Sequence, residues 1–146
     1  MNKICELPNS LKIEGSELTV SLFLDPKLAW FKGHFPEQSI LPGVAQIDWA
    51  RLYAAKIAAH NICKELPQIK FTLPLVPNET VSLKESVREV GDKSIVSFRF
   101  EVVRGGVTLT ASQGRICLFC LSIPASSFLA ISMAKNLEIL WNLSVS

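Results

Sequence analysis

The sequence predicts an α+β domain in which an antiparallel sheet curls around one long helix. Three observations carry that prediction. An alanine-rich apolar run begins at Pro42-Gly43 and meets no breaker until Cys63-Lys64 and Pro67, a length only a helix uses. The second half of the chain alternates apolar and polar residues with period two, most cleanly at Val96, Phe98, Phe100 and Val102. Arg104-Gly105-Gly106-Val107 then marks a two-residue hairpin, because a primed turn needs positive φ at both central positions.

The elements follow in order. ELTVSLFL (17–24) places Leu18, Val20, Leu22 and Leu24 on one face of a half-buried strand, and Asp25-Pro26 ends it because proline lacks the ladder N–H. Residues 28–41 form a loop with Gly33 and Pro36. The helix starts at Pro42, since proline suits a first helical position, and runs to about Asn61. IKFTLPLVP (69–77) is a short strand and a proline-bounded turn. TVSLKESVREV (80–90) and KSIVSFRFEVVR (93–104) are strands joined through Gly91-Asp92, and VTLTASQGRICLF is the last strand. A layout of strand, loop, helix and then three or four antiparallel strands is that of a helix packed on a curled sheet.

At 146 residues the chain is most simply one domain, large enough to bury roughly two thirds of its unfolded surface. Fifteen Lys and Arg against thirteen Asp and Glu, with the basic residues scattered, give no argument for a nucleic-acid partner. The 49% hydrophobic content is high, and either a well-filled core or an oligomer interface accounts for it. Cys5, Cys63, Cys117 and Cys120 show no framework spacing. Cys117 and Cys120, three apart at the end of a strand, point to opposite faces and cannot share an ion, so neither metal nor cofactor is expected. Reduced thiols and a start without a signal-length apolar run suggest a cytoplasmic protein. Nineteen uncharged residues separate Arg115 from Lys135, but Pro124, Ser126 and Ser127 interrupt them, which argues against a membrane span. Residues 122–146 read as a separate tail. Leu129, Met133, Leu137 and Leu140 keep helical spacing there, as in an amphipathic helix docked on its own domain or on a sister subunit, with a surface membrane anchor as the alternative.

The chemistry concentrates in FKGHFPEQSILPGVAQIDWA, residues 31–50. Val44, Ala45, Ile47, Trp49, Ala50 and Leu52 leave the helix almost no polar face, which predicts burial all round. Asp48 then lies about 9 Å along that helix from Pro42. An ionised carboxylate costs several kcal/mol there, so either its pKa rises or Arg51, three residues on, pairs with it. The free N–H groups from Gly43 onward carry the positive end of the helix dipole, and glycine lets a ligand approach them, although Pro-Gly is also simply a good helix entry. His34 on its own is compatible with an ordinary packed loop histidine.

HFP, five residues, PGV, three residues and an acid is a combination that resembles the hotdog-fold 3-hydroxyacyl-acyl-carrier-protein dehydratases over roughly residues 15–120. The full string, with IKFTLPLVPNETVSL and TASQGRICL, is most similar to the ApeI-like dehydratases associated with aryl polyene biosynthesis. The resemblance implies a hotdog domain over 1–121 that converts a (3R)-3-hydroxyacyl thioester to the trans-2-enoyl thioester. It places His34 and Asp48 as the catalytic pair and Gly43, Phe35 and Val44 against the substrate. It implies no metal or other cofactor. The implied partners are an acyl carrier protein with a phosphopantetheine-linked acyl chain and a second copy of the chain. His34 of one copy would then complete a site with Asp48 of the other. Ser39 departs from the proline usual in relatives, and the tail has no counterpart. A hotdog thioesterase, which uses a helix acid and water, is the rival enzyme, and the intact His34 motif argues against it. A silent partner subunit is the non-enzymatic alternative, and the presence of both His34 and Asp48 argues against that.

Overall fold

The computed structural model describes residues 5–31, 40–63, 65 and 67–120. Its elements are β1 (Lys12–Glu14), β2 (Glu17–Phe23), a 3-10 turn (Ala29–Phe31), α1 (Gly43–Ala54), β3 (Ile62–Cys63), β4 (Gln68–Phe71), β5 (Thr80–Val90), β6 (Lys93–Arg104) and β7 (Val107–Phe119). All strands pair antiparallel in one sheet ordered β1-β2-β5-β6-β7-β3, and β4 joins β7 alongside β3. The α+β prediction therefore holds. His34, Phe35, Ser39 and the tail from 121 lie outside the described residues.

The bounds of β5 and β6 coincide with those read from the sequence, because period-two burial and a glycine turn mark both ends. Gly105 and Gly106 take φ of 59° and 78°, and Arg104 pairs with Val107 across them. The sequence reading missed β1 and β3. β1 is exposed at all three residues and β3 has only two, so neither carries an alternating apolar signal.

Three expectations for the helix need correction. α1 ends at Ala54 rather than near Asn61. Lys56 and Ile57 donate to the carbonyls of Tyr53 and Ala54 in tighter turns. Beyond them, side chains of the sheet capture the next backbone groups: Ala59 N–H donates to Glu89 and His60 N–H to Ser94 Oγ. The helix is also not covered all round within one chain. Ala45, Gln46, Trp49, Ala50, Tyr53 and Ala54 are buried against the sheet, whereas Val44 is 67% and Leu52 48% exposed on the other side. Pro42 is the N-cap, one place before the first helical residue.

The core lies between this helix face and the inner rows of the sheet, with Leu18, Val20 and Leu22 of β2, Val81 and Leu83 of β5, Val96, Phe98, Phe100 and Val102 of β6, and Ile116 and Leu118 of β7. Trp49 is its largest fully buried side chain. One irregularity interrupts the inner rows. Phe100 pairs with Ser112 and Glu101 with Thr110, so Ala111 is an extra residue on β7, a β-bulge that leaves Ala111 and Ser112 both buried in succession. The Ala111 carbonyl accepts from the N–H groups of Thr72 and Leu73 at 2.8 and 3.2 Å and so guides the chain out of β4. The loop that follows is pinned by Arg104, whose guanidinium forks onto Glu79 with two contacts of 2.8 Å and donates to the Pro74 carbonyl at 2.7 Å.

Gly114 stands where β7 runs between β6 and β4. A Cβ there would lie 2.0 Å from the Gln68 carbonyl oxygen, and backbone cannot swing aside as a side chain can. Gly114→Ala is therefore expected to loosen β4 and cost about 2–3 kcal/mol. Denaturant unfolding checks this; an unchanged midpoint would show that β4 shifts freely.

Candidate active site

The incoming chain is tied down before the helix starts, because Leu41 N–H donates to the Leu75 carbonyl at 2.8 Å. That bond brings the first turn of α1 against β4 and the loop after it. Between them lies a cleft of about 350 Å³, walled by Leu41, Gly43, Phe71, Leu73 and Pro74 and reaching Gln46. Its lining is mostly apolar, with Gln46 and Thr72 as its polar residues. The first intrahelical bonds are those from Ala45 and Gln46 to the Pro42 carbonyl, so the N–H groups of Gly43 and Val44 precede the ladder. The helix dipole adds positive potential at this end. An ideal Cβ on Gly43 would sit 2.4 Å from Cζ of Phe71, so any larger residue here would have to push that ring aside. The ring of Phe71, itself half exposed, lies directly over the glycine.

Gln46 is the polar residue among the buried side chains of this turn. Its Nε2 donates to the Leu41 carbonyl at 3.4 Å, and its Oε1 accepts from the Ser112 hydroxyl at 2.7 Å. The sequence reading passed over both residues. A glutamine on the same face as Trp49, Ala50 and Tyr53 was the available signal for one of them. Nothing short of the bulge signals the other.

Asp48 lies elsewhere. It is on the helix face turned from the sheet, and its side chain is 22% exposed. Burial raises its pKa above the usual aspartate value, and Arg51, with Nη2 3.8 Å from Oδ1, offsets part of the rise. Both expectations for this carboxyl are thus met in part. Within one chain Gly43 opens onto the cleft, whereas Asp48 and Val44 face outward. His34 and Phe35 fall outside the described residues.

A second acid escaped the sequence reading. Glu85 occupies an inward position of β5, in register with Val81 and Leu83, between Leu18 and Phe98 on the neighbouring strands. It is 4% exposed, neither carboxylate oxygen has a hydrogen-bond partner among the described residues, and burial pushes its pKa up to about 9. Tyr53 is close enough for Glu85 to help raise its pKa, after burial and the 2.5 Å bond that its hydroxyl donates to Glu6.

The larger groove, about 730 Å³, crosses the outer face of the sheet and does not adjoin Gly43. Lys70, Lys84, Arg99 and Arg115 line it against two acids, Glu17 and the buried Glu85. Lys84 and Arg99 are direct cross-strand partners and share Glu101 at 2.9 and 3.6 Å. Among the described residues no three His, Cys, Asp or Glu side chains cluster as metal ligands, and no helix is long and apolar enough to cross a membrane.

An antiparallel sheet packed on one helix, with a glycine-led helix start opening onto an apolar cleft, defines a hotdog-fold protein. Solved hotdog structures share this architecture even at low identity. A Streptococcus mutans protein bound to acetyl-CoA is 7% identical with TM-score 0.63, covering 82% of this chain and 90% of its own. Zebrafish thioesterase superfamily member 2 is 11% identical with TM-score 0.61, covering 82% of each chain.

The chain belongs to the ApeI-like family, described as ApeI dehydratase, whose model matches residues 10–114. In the dehydratase heterocomplex ApeI:P from Xenorhabdus doucetiae, the matching chain is 36% identical with TM-score 0.64, over 80% of this chain and 98% of that one. An uncharacterized protein from Erwinia carotovora subsp. atroseptica is 30% identical with TM-score 0.61, over 78% and 94%. No curated protein matches.

Proposed function

We propose that the protein dehydrates a (3R)-3-hydroxyacyl thioester, carried on the phosphopantetheine arm of an acyl carrier protein, to the trans-2-enoyl thioester. The observation that carries this reading is the helix start at Gly43 opening onto an apolar cleft in a chain of the ApeI-like dehydratase family. His34 is the base. Imidazole titrates near neutrality and takes the proton from the carbon beside the thioester carbonyl. Gly43 N–H and the helix dipole stabilise the charge that moves onto the carbonyl oxygen. Asp48, its pKa raised by partial burial, gives a proton to the departing hydroxyl, so the C–O electron pair leaves as water while the C–C double bond forms. Phe35 and Val44 flank the acyl chain.

Asp48 and Gly43 do not face one cavity within a single chain, and Val44 and Leu52 are exposed beside Asp48. Both facts support a homodimer in which His34 of one copy meets Asp48 of the other. The outer groove favours an acidic carrier: its β4 end, at Lys70, lies one residue from Phe71 at the cleft, within reach of a flexible arm. Family membership supports aryl polyene or related fatty-acid synthesis in the cytoplasm as the setting. In this reading residues 1–121 form the catalytic domain, to which residues 122–146 are appended. The Xenorhabdus relative was solved as a heterocomplex, which favours a second arrangement, a dehydratase working beside a different hotdog subunit.

Mass spectrometry after incubation with a 3-hydroxyacyl carrier protein tests the reaction. Enoyl product without free thiol supports it. Free thiol supports hydrolysis, and no product from the purified chain supports dependence on a second subunit.

A further inference from the structure

Two polar side chains meet inside the wall between α1 and β7, and the reaction proposed above uses neither. Gln46, 3% exposed, and Ser112, fully buried, share a 2.7 Å hydrogen bond across 66 positions of sequence. Apolar side chains would fill the same space without needing partners. Packing alone therefore does not call for this pair.

The surrounding backbone is shaped to make the pair possible. On a regular β7, Ala111 and Ser112 would point to opposite faces. The bulge at Ala111 turns both inward, which puts the Ser112 hydroxyl on Gln46. The other end of the amide reaches the Leu41 carbonyl, just before the helix. The helix start needs such an anchor because its N-cap is Pro42, which makes no side-chain capping bond. Phe71, the cross-strand partner of Ser112, completes the arrangement by laying its ring on Gly43.

We propose that Gln46 is a positioning residue: held by Ser112, it locks the first turn of α1 to β7 so that the Gly43 N–H keeps its aim into the cleft. The use of that N–H rests on the function proposed above; the locking does not.

The test compares Gln46→Leu, Ser112→Ala and the double variant in the full chain. It measures kcat, KM, the melting temperature and hydrogen exchange at the backbone amides of positions 45 and 46, which donate to the Pro42 carbonyl. Gln46→Leu is expected to lower kcat about 10- to 100-fold with KM within about threefold, since small misplacements of a catalytic group carry costs of this size. Exchange at the two first-turn amides should quicken while Ala50 is unchanged. In the double variant neither member of the pair is left facing a lost partner, and only the Leu41 carbonyl gives up its long 3.4 Å bond, so the melting temperature should recover towards wild type while kcat stays low. Recovery of kcat together with melting temperature would make the pair merely structural and overturn the proposal. If the wild-type chain does not dehydrate, the function reading fails and exchange alone decides: faster first-turn exchange in the two single variants supports the lock, unchanged exchange overturns it.

Discussion

Asp48→Asn should lower dehydration by about 10²- to 10⁴-fold, the range that loss of a general acid or base produces. The asparagine keeps the shape, gives up only a 3.8 Å contact with Arg51, and cannot supply the proton that leaves with the hydroxyl. His34→Ala should cost as much by removing the base. Circular dichroism should show both variants folded. Mixing the two gives a sharper readout of where the halves of the site come from. If each site takes His34 from one copy and Asp48 from the other, re-equilibrated mixtures should regain roughly a quarter of wild-type turnover: half the dimers are mixed, and one of their two sites is intact. A mixture as inactive as its parents would place both residues in one chain's site. An active His34→Ala enzyme would remove the mechanism altogether.

The second large effect concerns stability rather than rate. Glu85 is ionised in the unfolded chain above about pH 4.5 and stays protonated in the fold up to about pH 9. Below that window both states are neutral there, and the buried carboxyl carries no ionisation penalty. Through the window the unfolded chain releases a proton that the fold retains, so this residue lowers stability by up to about 1.4 kcal/mol per pH unit until the folded pKa is passed. Glu85→Gln keeps the shape and removes the titration. The difference in unfolding free energy between variant and wild type should therefore widen in favour of the variant from pH 5 to pH 9. A constant difference across that range would show that water or a partner reaches the carboxylate.

Much of the fold was legible because its signals are local. Alternation at Val96 to Val102 and the glycine pair at 105–106 specify β6, its turn and its partner without tertiary knowledge. The early end of α1 was not legible, since Glu89 and Ser94 stop it from thirty residues away. Nor was the open side of the helix: an apolar sequence records that a face is to be covered, not whether its own chain covers it. Of the site, Gly43 was readable from Pro-Gly at a helix start. Gln46 and Ser112 were not, because their meaning lies in a contact that a bulge creates. Glu85 was readable in principle as a charge in the inward register of Val81 and Leu83.

The extra residue at Ala111 has a mechanical consequence. Above it, the Gly105-Gly106 turn dictates how β6 and β7 align; below it, the core contacts of Val96 and Ile116 do. A continuous ladder would force these two authorities to agree on one register, so strain at the exposed tip would reach the cleft. The single surplus residue acts as an expansion joint. It lets the tip of the hairpin answer to its own turn while the lower half of β7 stays in step with the helix.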